Sequence, residues 1–179
     1  ISVSKWNEET VEGLNAELVI PYVTFTAESE QTFKFFISDK FATALGENEY
    51  FEYSVGDGEW TQFKTTVDNI TFGGTRGSLR LRGKSSKGTA TGDDKYSRIH
   101  FTTENSPVDC TGDIRTLIDY ENYANANTTN ARFCKLFLWN TELRTAPSLP
   151  AQSLADYCYQ EMFKGCSKLT TAPTLPAEI

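Results

Sequence analysis

The residues that could do chemistry in this chain are few and scattered. His100 is the only histidine, in the run Arg98-Ile99-His100-Phe101. A histidine base needs a nucleophile on one side and an orienting carboxylate on the other. No motif supplies them, and strand alternation sets His100 beside Arg98, away from Ile99 and Phe101. It reads as a surface or rim side chain. The four cysteines, Cys110, Cys134, Cys158 and Cys166, form no Cys-x-x-Cys pair. One histidine and dispersed thiols make no zinc ligand set, and neither Cys134 nor Cys158 has a histidine in a motif to activate it. Their even number permits two disulfides. The favoured reading is buried thiols filling small apolar spaces. The carboxylate pairs Glu8-Glu9, Glu28/Glu30 and Asp93-Asp94 sit in polar turns and read as solvated, not as the facing acids of a glycosidase. Asp57 and Glu59 lack the further acids of a calcium loop. The glycines at 73, 74, 77, 83, 88 and 92 follow no strand-to-helix phosphate pattern. No cofactor is expected, and the chain reads as non-enzymatic.

Aromatics are the remaining candidates. Trp6, Trp60, Tyr50 and Tyr53 could stack on a sugar ring. This defines the alternative reading, a carbohydrate-binding module using exposed aromatics. Trp60 directly follows a hairpin turn, which favours a packing role. The net charge of -7 and pI near 4.8 repel phosphate, so nucleic acid is not an expected partner. No run of 18 apolar residues exists, so no transmembrane helix is expected. The start at Ile1 without Met suggests a processed or engineered terminus.

The elements that must position these residues begin with strands. Leu18–Ala27, Gln31–Ser38, Tyr50–Val55, Trp60–Lys64, Asn69–Phe72, Ser78–Arg82 and Ser97–Thr102 are short and rich in β-branched or aromatic residues. Their roughly ten-residue spacing with Gly-rich turns predicts a β-sandwich. Asp57-Gly58 predicts a hairpin turn, and Gly83–Asp94 a polar loop. Ser106-Pro107 predicts a boundary, with one domain over 1–107 and a second over 108–179. Ile114, Leu117 and Ile118 fit one face of a short helix within Asp113–Tyr123, and Ala124–Asn130 reads as a polar loop.

The chain then repeats itself. Phe137–Ala151 and Phe163–Ala177 align at an offset of 26 residues, sharing Phe, Leu, Thr-Ala-Pro and Leu-Pro-Ala at matching positions. A fixed period of this length means stacked supersecondary units. Within one unit, Leu154, Tyr157, Cys158 and Met162 predict an amphipathic helix capped by Ser153 and stopped at a left-handed Gly165. Leu169–Ala172 predicts a short strand, with Leu169 and Thr171 inward and Lys168 and Thr170 outward. Phe137, Leu143 and Leu149 are expected to pack over Phe163, Leu169 and Leu175. Asn140 and Cys166 share one turn position.

The pattern Phe-x-x-(Cys/Asn)-x-x-Leu-x-x-Ala-Pro-x-Leu-Pro resembles the BspA-like (Treponema-type) leucine-rich repeats of Bacteroidetes surface proteins. Phe163, Cys166, Leu169, Ala172, Pro173, Leu175 and Pro176 carry it, as do Phe137, Asn140, Leu143, Ala146, Pro147, Leu149 and Pro150. Tyr157–Cys166 resembles the same group, and Asp109–Asp119 (DCTGDIRTLID) resembles its usual junction. Tyr53–Phe63 and Ser78–Lys84 resemble the sandwich domain that often precedes such repeats. The resemblance implies an Ig-like β-sandwich followed by a truncated leucine-rich-repeat stack. It also implies export to the cell surface, outer-membrane associated, with lipid anchoring as one route. The implied role is adhesion or ligand binding to a host or bacterial surface protein or glycan. The chain is expected to be a fragment of a longer array or to use its N-terminal domain as a cap. The outward residues Glu142, Arg144, Lys168 and Thr170 are the expected binding face.

Overall fold

Phenylalanine alternation sets the architecture. In a computed structural model, which describes residues 19–177, the chain is mainly β, with two sheets and a few short helical turns. Strands β1 (Val23–Ala27), β3 (Tyr50–Val55), β4 (Thr61–Phe63), β6 (Leu79–Lys84), β9 (Val108–Thr111) and β10 (Leu143–Thr145) form one sheet, in the order β10-β9-β1-β6-β3-β4. Strands β2 (Gln31–Ile37), β5 (Val67–Phe72), β7 (Ala90–Gly92) and β8 (Lys95–Phe101) form the other, in the order β5-β2-β8-β7. The β9–β10 pair is parallel; the other pairs are antiparallel. β2 buries Phe33, Phe35 and Ile37, and β8 buries Ile99 and Phe101, every second residue. Across the gap, Phe25 lies 6.2 Å from Phe33, and Phe35 lies 5.2 Å from Phe51. Each buried phenylalanine contributes about 1.5–3 kcal/mol of transfer free energy.

The loops depart from sequence expectation in local ways. Positive φ in the β3–β4 hairpin falls on Gly56 (φ 56°), one residue before Asp57-Gly58. The predicted loop Gly83–Asp94 contributes the end of β6 and all of β7. The predicted helix over Asp113–Tyr123 shrinks to a 3-10 turn at Ile114–Leu117, capped by the Asp113 carboxylate accepting from Arg115 N–H. A four-residue helix, α1 (Asp39–Ala42), starts at Ser38, whose hydroxyl accepts from Phe41 N–H. Trp6, Glu8 and Glu9 lie outside the described residues, as does Leu18.

The segment after Pro107 is not separated from what precedes it. β9 pairs along its length with β1, and residues from both sides of position 107 share one core.

The repeated segments and the turns that lead into them form two coils, residues 131–151 and 157–177, and neither contains the predicted amphipathic helix. Chain turns close from Cys158 N–H to Ala155 C=O, Gln160 to Tyr157, Met162 to Tyr159, Lys164 to Glu161 and Cys166 to Phe163. Tyr157, Glu161 and Gly165 have positive φ (62°, 52° and 79°), as do Lys135 and Trp139 in the first copy (61° and 57°). A left-handed residue every four positions breaks the i to i−4 hydrogen bonding that an α-helix requires. Ser153 therefore caps nothing. The stripe also divides: Cys158 and Met162 are buried, while Leu154 and Tyr157 are exposed. Glycine is favoured at 165 on two counts. Its φ is left-handed, and a Cβ there would lie 2.1 Å from the Trp139 ring.

Turn formation leaves alternate N–H groups pointing along the stack. Phe133, Lys135, Phe137 and Trp139 donate to the carbonyls of Cys158, Gln160, Met162 and Lys164, at 2.6–3.0 Å. The two coils are thereby laid parallel, in register with the sequence period. Phe137 stacks on Phe163 at 5.7 Å and 7°, and Phe133 on Tyr159 at 6.3 Å and 19°. The first coil in turn sits on the sheets. Ile99 N–H donates to Leu136 C=O and Thr89 N–H to Arg132 C=O, while β10 extends the larger sheet beyond β9.

Candidate functional site

Asn140 and Cys166 show how the sequence repeat becomes a layer. The Asn140 amide donates 3.1 Å to Ile99 C=O, one layer back. The Cys166 thiol donates 3.0 Å to Phe137 C=O, also one layer back. Both side chains are buried; Asn140 supplies the donor to Ile99 C=O, while the Cys166 thiol is a second donor to Phe137 C=O, which also accepts from Asn140 N–H.

The four expected binding residues occupy equivalent places in successive layers, and three of them are held in structural ties. Glu142 was expected to face outward. It is instead 5% exposed. Its carboxylate accepts from Asn105 N–H (3.3 Å) and from Lys168 Nζ (2.5 Å). The pairing draws Glu142 inward, because a buried carboxylate is tolerated only with partners. Lys168 thus fastens the second coil to the first. Arg144 forks onto Asp109 of β9 through Nε (2.9 Å) and Nη2 (2.5 Å), fastening the first coil to the sheet. That guanidinium holds the Asp109 carboxyl below the usual range. Thr170 is exposed. Thr171, expected inward, is also exposed, and Leu175 is 55% exposed. No described residue covers the outer side of the second coil. A shallow groove of about 430 Å³ runs between the two coils beside Arg144, Thr145 and Thr170.

The other chemically capable residues are held in packing roles. All four thiols are free and buried, and burial pushes Cys110, Cys134 and Cys158 up and Cys166 to about 11. His100 stands cross-strand from Lys34. Burial, with the charges of Arg98 and Lys34, holds its pKa down. Trp60 is half-buried and packed by cations. Arg82 lies 3.9 Å from its centroid and Arg80 5.2 Å, and Arg82 also lies 4.0 Å from Tyr120. Among the described residues, no cluster of three or more His, Cys, Asp or Glu could hold a metal ion, and no helix is long and apolar enough to cross a membrane.

One hollow was not legible as a site. The segment after the 3-10 turn is tied to the β6–β7 connection at both ends. Ser85 N–H bonds Ile118 C=O, Tyr120 N–H bonds Gly83 C=O, and Arg132 N–H bonds Lys87 C=O. Between these ties the chain stands off, leaving a groove of about 610 Å³. Asn122, Asn125, Asn127 and Asn130 line one wall and Asn48 lines another. The cations at its edge are already paired, Lys84 with Asp119 and Glu121, and Lys87 with Glu49. The signal in the sequence is the density of asparagine between 122 and 130.

Comparison with protein-family models, curated proteins and solved structures gave no match to the chain.

Proposed function

We propose that the chain is a non-enzymatic, exported cell-surface protein. Its Ig-like β-sandwich caps a stack of leucine-rich-repeat coils of the BspA-like kind, and that stack presents a surface for adhesion or ligand binding. The observation that supports this best is the interlayer ladder from Phe133, Lys135, Phe137 and Trp139 to Cys158, Gln160, Met162 and Lys164. Parallel hydrogen bonding at the sequence period is how a repeat array grows. The capping role follows from edge protection. Both sheets offer unpaired backbone on this side, and the first coil covers them, as an exposed edge otherwise invites aggregation. The non-enzymatic reading rests on buried thiols with raised pKa values and on a histidine whose charged neighbours among the described residues are Arg98 and Lys34. The binding face on this reading is the groove beside Arg144, Thr145 and Thr170.

The test is surface plasmon resonance of the purified chain against immobilised host and bacterial surface proteins and glycans. The expected result is saturable binding that weakens in the Arg144→Ala/Thr170→Ala double variant, whose fold is checked by circular dichroism. Undiminished binding by the folded double variant would move the site elsewhere. Turnover of any target by the chain would overturn the non-enzymatic reading.

A further inference from the structure

The geometry points to the amide-lined groove between the β6–β7 connection and residues 118–130 as a binding site for a neutral oligosaccharide. The proposal does not rest on the repeat-stack reading.

Four asparagines between positions 122 and 130 all border one hollow, and a fifth, Asn48, faces it from another loop. Turn formation accounts for part of this. Asn125 Nδ2 donates to Asn122 Oδ1 (2.9 Å), and Asn127 Oδ1 accepts from Thr129. The opposite ends of these amides remain for a ligand, as do both polar atoms of Asn48 and Asn130, none of which bonds another described residue. A carboxamide donates and accepts at once, which matches a hydroxyl that does the same.

Charge selects against other ligands. The lining holds Lys84 and Lys87 beside Glu49 and Asp119, with each cation paired to a carboxylate at 2.5–2.6 Å. With Glu121 also on Lys84, no surplus positive charge is left to recruit a phosphate. The lining contains no aromatic ring to stack on a nucleobase and no strand edge to pair with a peptide. Ile118 and Ala126 supply a small apolar patch for the C–H face of a pyranose ring. The volume of about 610 Å³ lies within the roughly 300–1,000 Å³ usual for small-ligand pockets.

Glu49 holds the wall in place. Its carboxylate accepts from Gly46 N–H, Ser86 N–H, Ser86 Oγ and Lys87 Nζ. Fixing two loops together keeps the groove open before a ligand arrives, which lowers the entropy lost on binding.

The experiment is an array of immobilised neutral and anionic oligosaccharides probed with the full 179-residue chain, followed by titration calorimetry with the best-retained sugar. Saturable, salt-insensitive binding of a neutral oligosaccharide is expected. The Asn125→Ala/Asn130→Ala variant should lose about tenfold or more in affinity, as two hydrogen bonds would give. Trp60→Ala should leave affinity unchanged, separating this site from the aromatic face. Should the double variant disturb the loop, Asn48→Ala on the far wall replaces it, with a loss of several-fold expected. Retention of anionic glycans alone, retention of none, or full binding by the amide variants would each overturn the assignment.

Discussion

The two coils carry one sequence pattern but live in different surroundings. The first coil is sandwiched, with both sheets on one side and the second coil on the other. Among the described residues, the second coil is covered on one side only. Leu143 is fully buried, while its equivalent Leu169 is half-buried; Leu149 is 2% exposed, while Leu175 is 55% exposed. The first copy forms a strand, β10, and the second has none at the equivalent residues. Identical residues therefore contribute unequally, because a repeat unit has too little apolar face to fold alone and takes its stability from its neighbours.

The largest test of that inequality uses the stacked phenylalanines. Phe137 lies between Phe25 (6.3 Å) and Phe163 (5.7 Å). Phe137→Ala should destabilise by about 3–5 kcal/mol, and Phe163→Ala by about half as much. Urea unfolding of both variants reads the difference. Equal costs would mean the second coil is as well supported as the first.

The shared turn position offers a finer test. Asn140→Ala leaves Ile99 C=O without its donor and should cost about 1–3 kcal/mol. Asn140→Cys places the second coil's residue in the first coil. It should cost clearly less, as a thiol already serves Phe137 C=O from Cys166. Thermal melts of the two variants decide whether Asn and Cys are interchangeable layer ties.

The smallest effect is a control away from the coils. Burial pushes the Glu49 carboxyl up, but hydrogen bonds from Lys87, Ser86 and the Gly46 backbone outweigh it and bring it down to about 2 from 4.5. A folded value below the unfolded one stabilises fully above the unfolded pKa, and the contribution is lost as pH falls through the folded one. Wild-type stability should therefore fall more steeply than that of Glu49→Gln between pH 4.5 and 2. Parallel pH profiles would remove Glu49 from the groove's support.

Local pattern carried much of the fold. Alternation in Gln31–Ile37 and Lys95–Phe101 marks strands because one side of each faces the core. The 26-residue repeat marks coils because equal residues stack. The helix from Leu154 to Met162 was misread for a physical reason. A four-residue apolar spacing fits an α-helix, but it also fits a chain of turns with a left-handed residue at every fourth place. Only Gly165 among those left-handed positions carries the usual sequence mark; Lys135, Trp139, Tyr157 and Glu161 do not. Glu142 was misread because its partner Lys168 lies in the next layer, invisible to strand alternation. The amide groove was hidden because Asn48 and Asn122–Asn130 meet only through the ties at Lys84 and Lys87.

Amide hydrogen exchange tests the central claim most directly. In the first coil, the N–H groups of Phe133, Lys135, Phe137 and Trp139 are bonded to the second. Their equivalents at Tyr159, Glu161, Phe163 and Gly165 have no partner among the described residues. If the coils stack as described, the first set exchanges slowly and the second set rapidly. Equal protection of the two sets, whether fast or slow, would contradict the layered account.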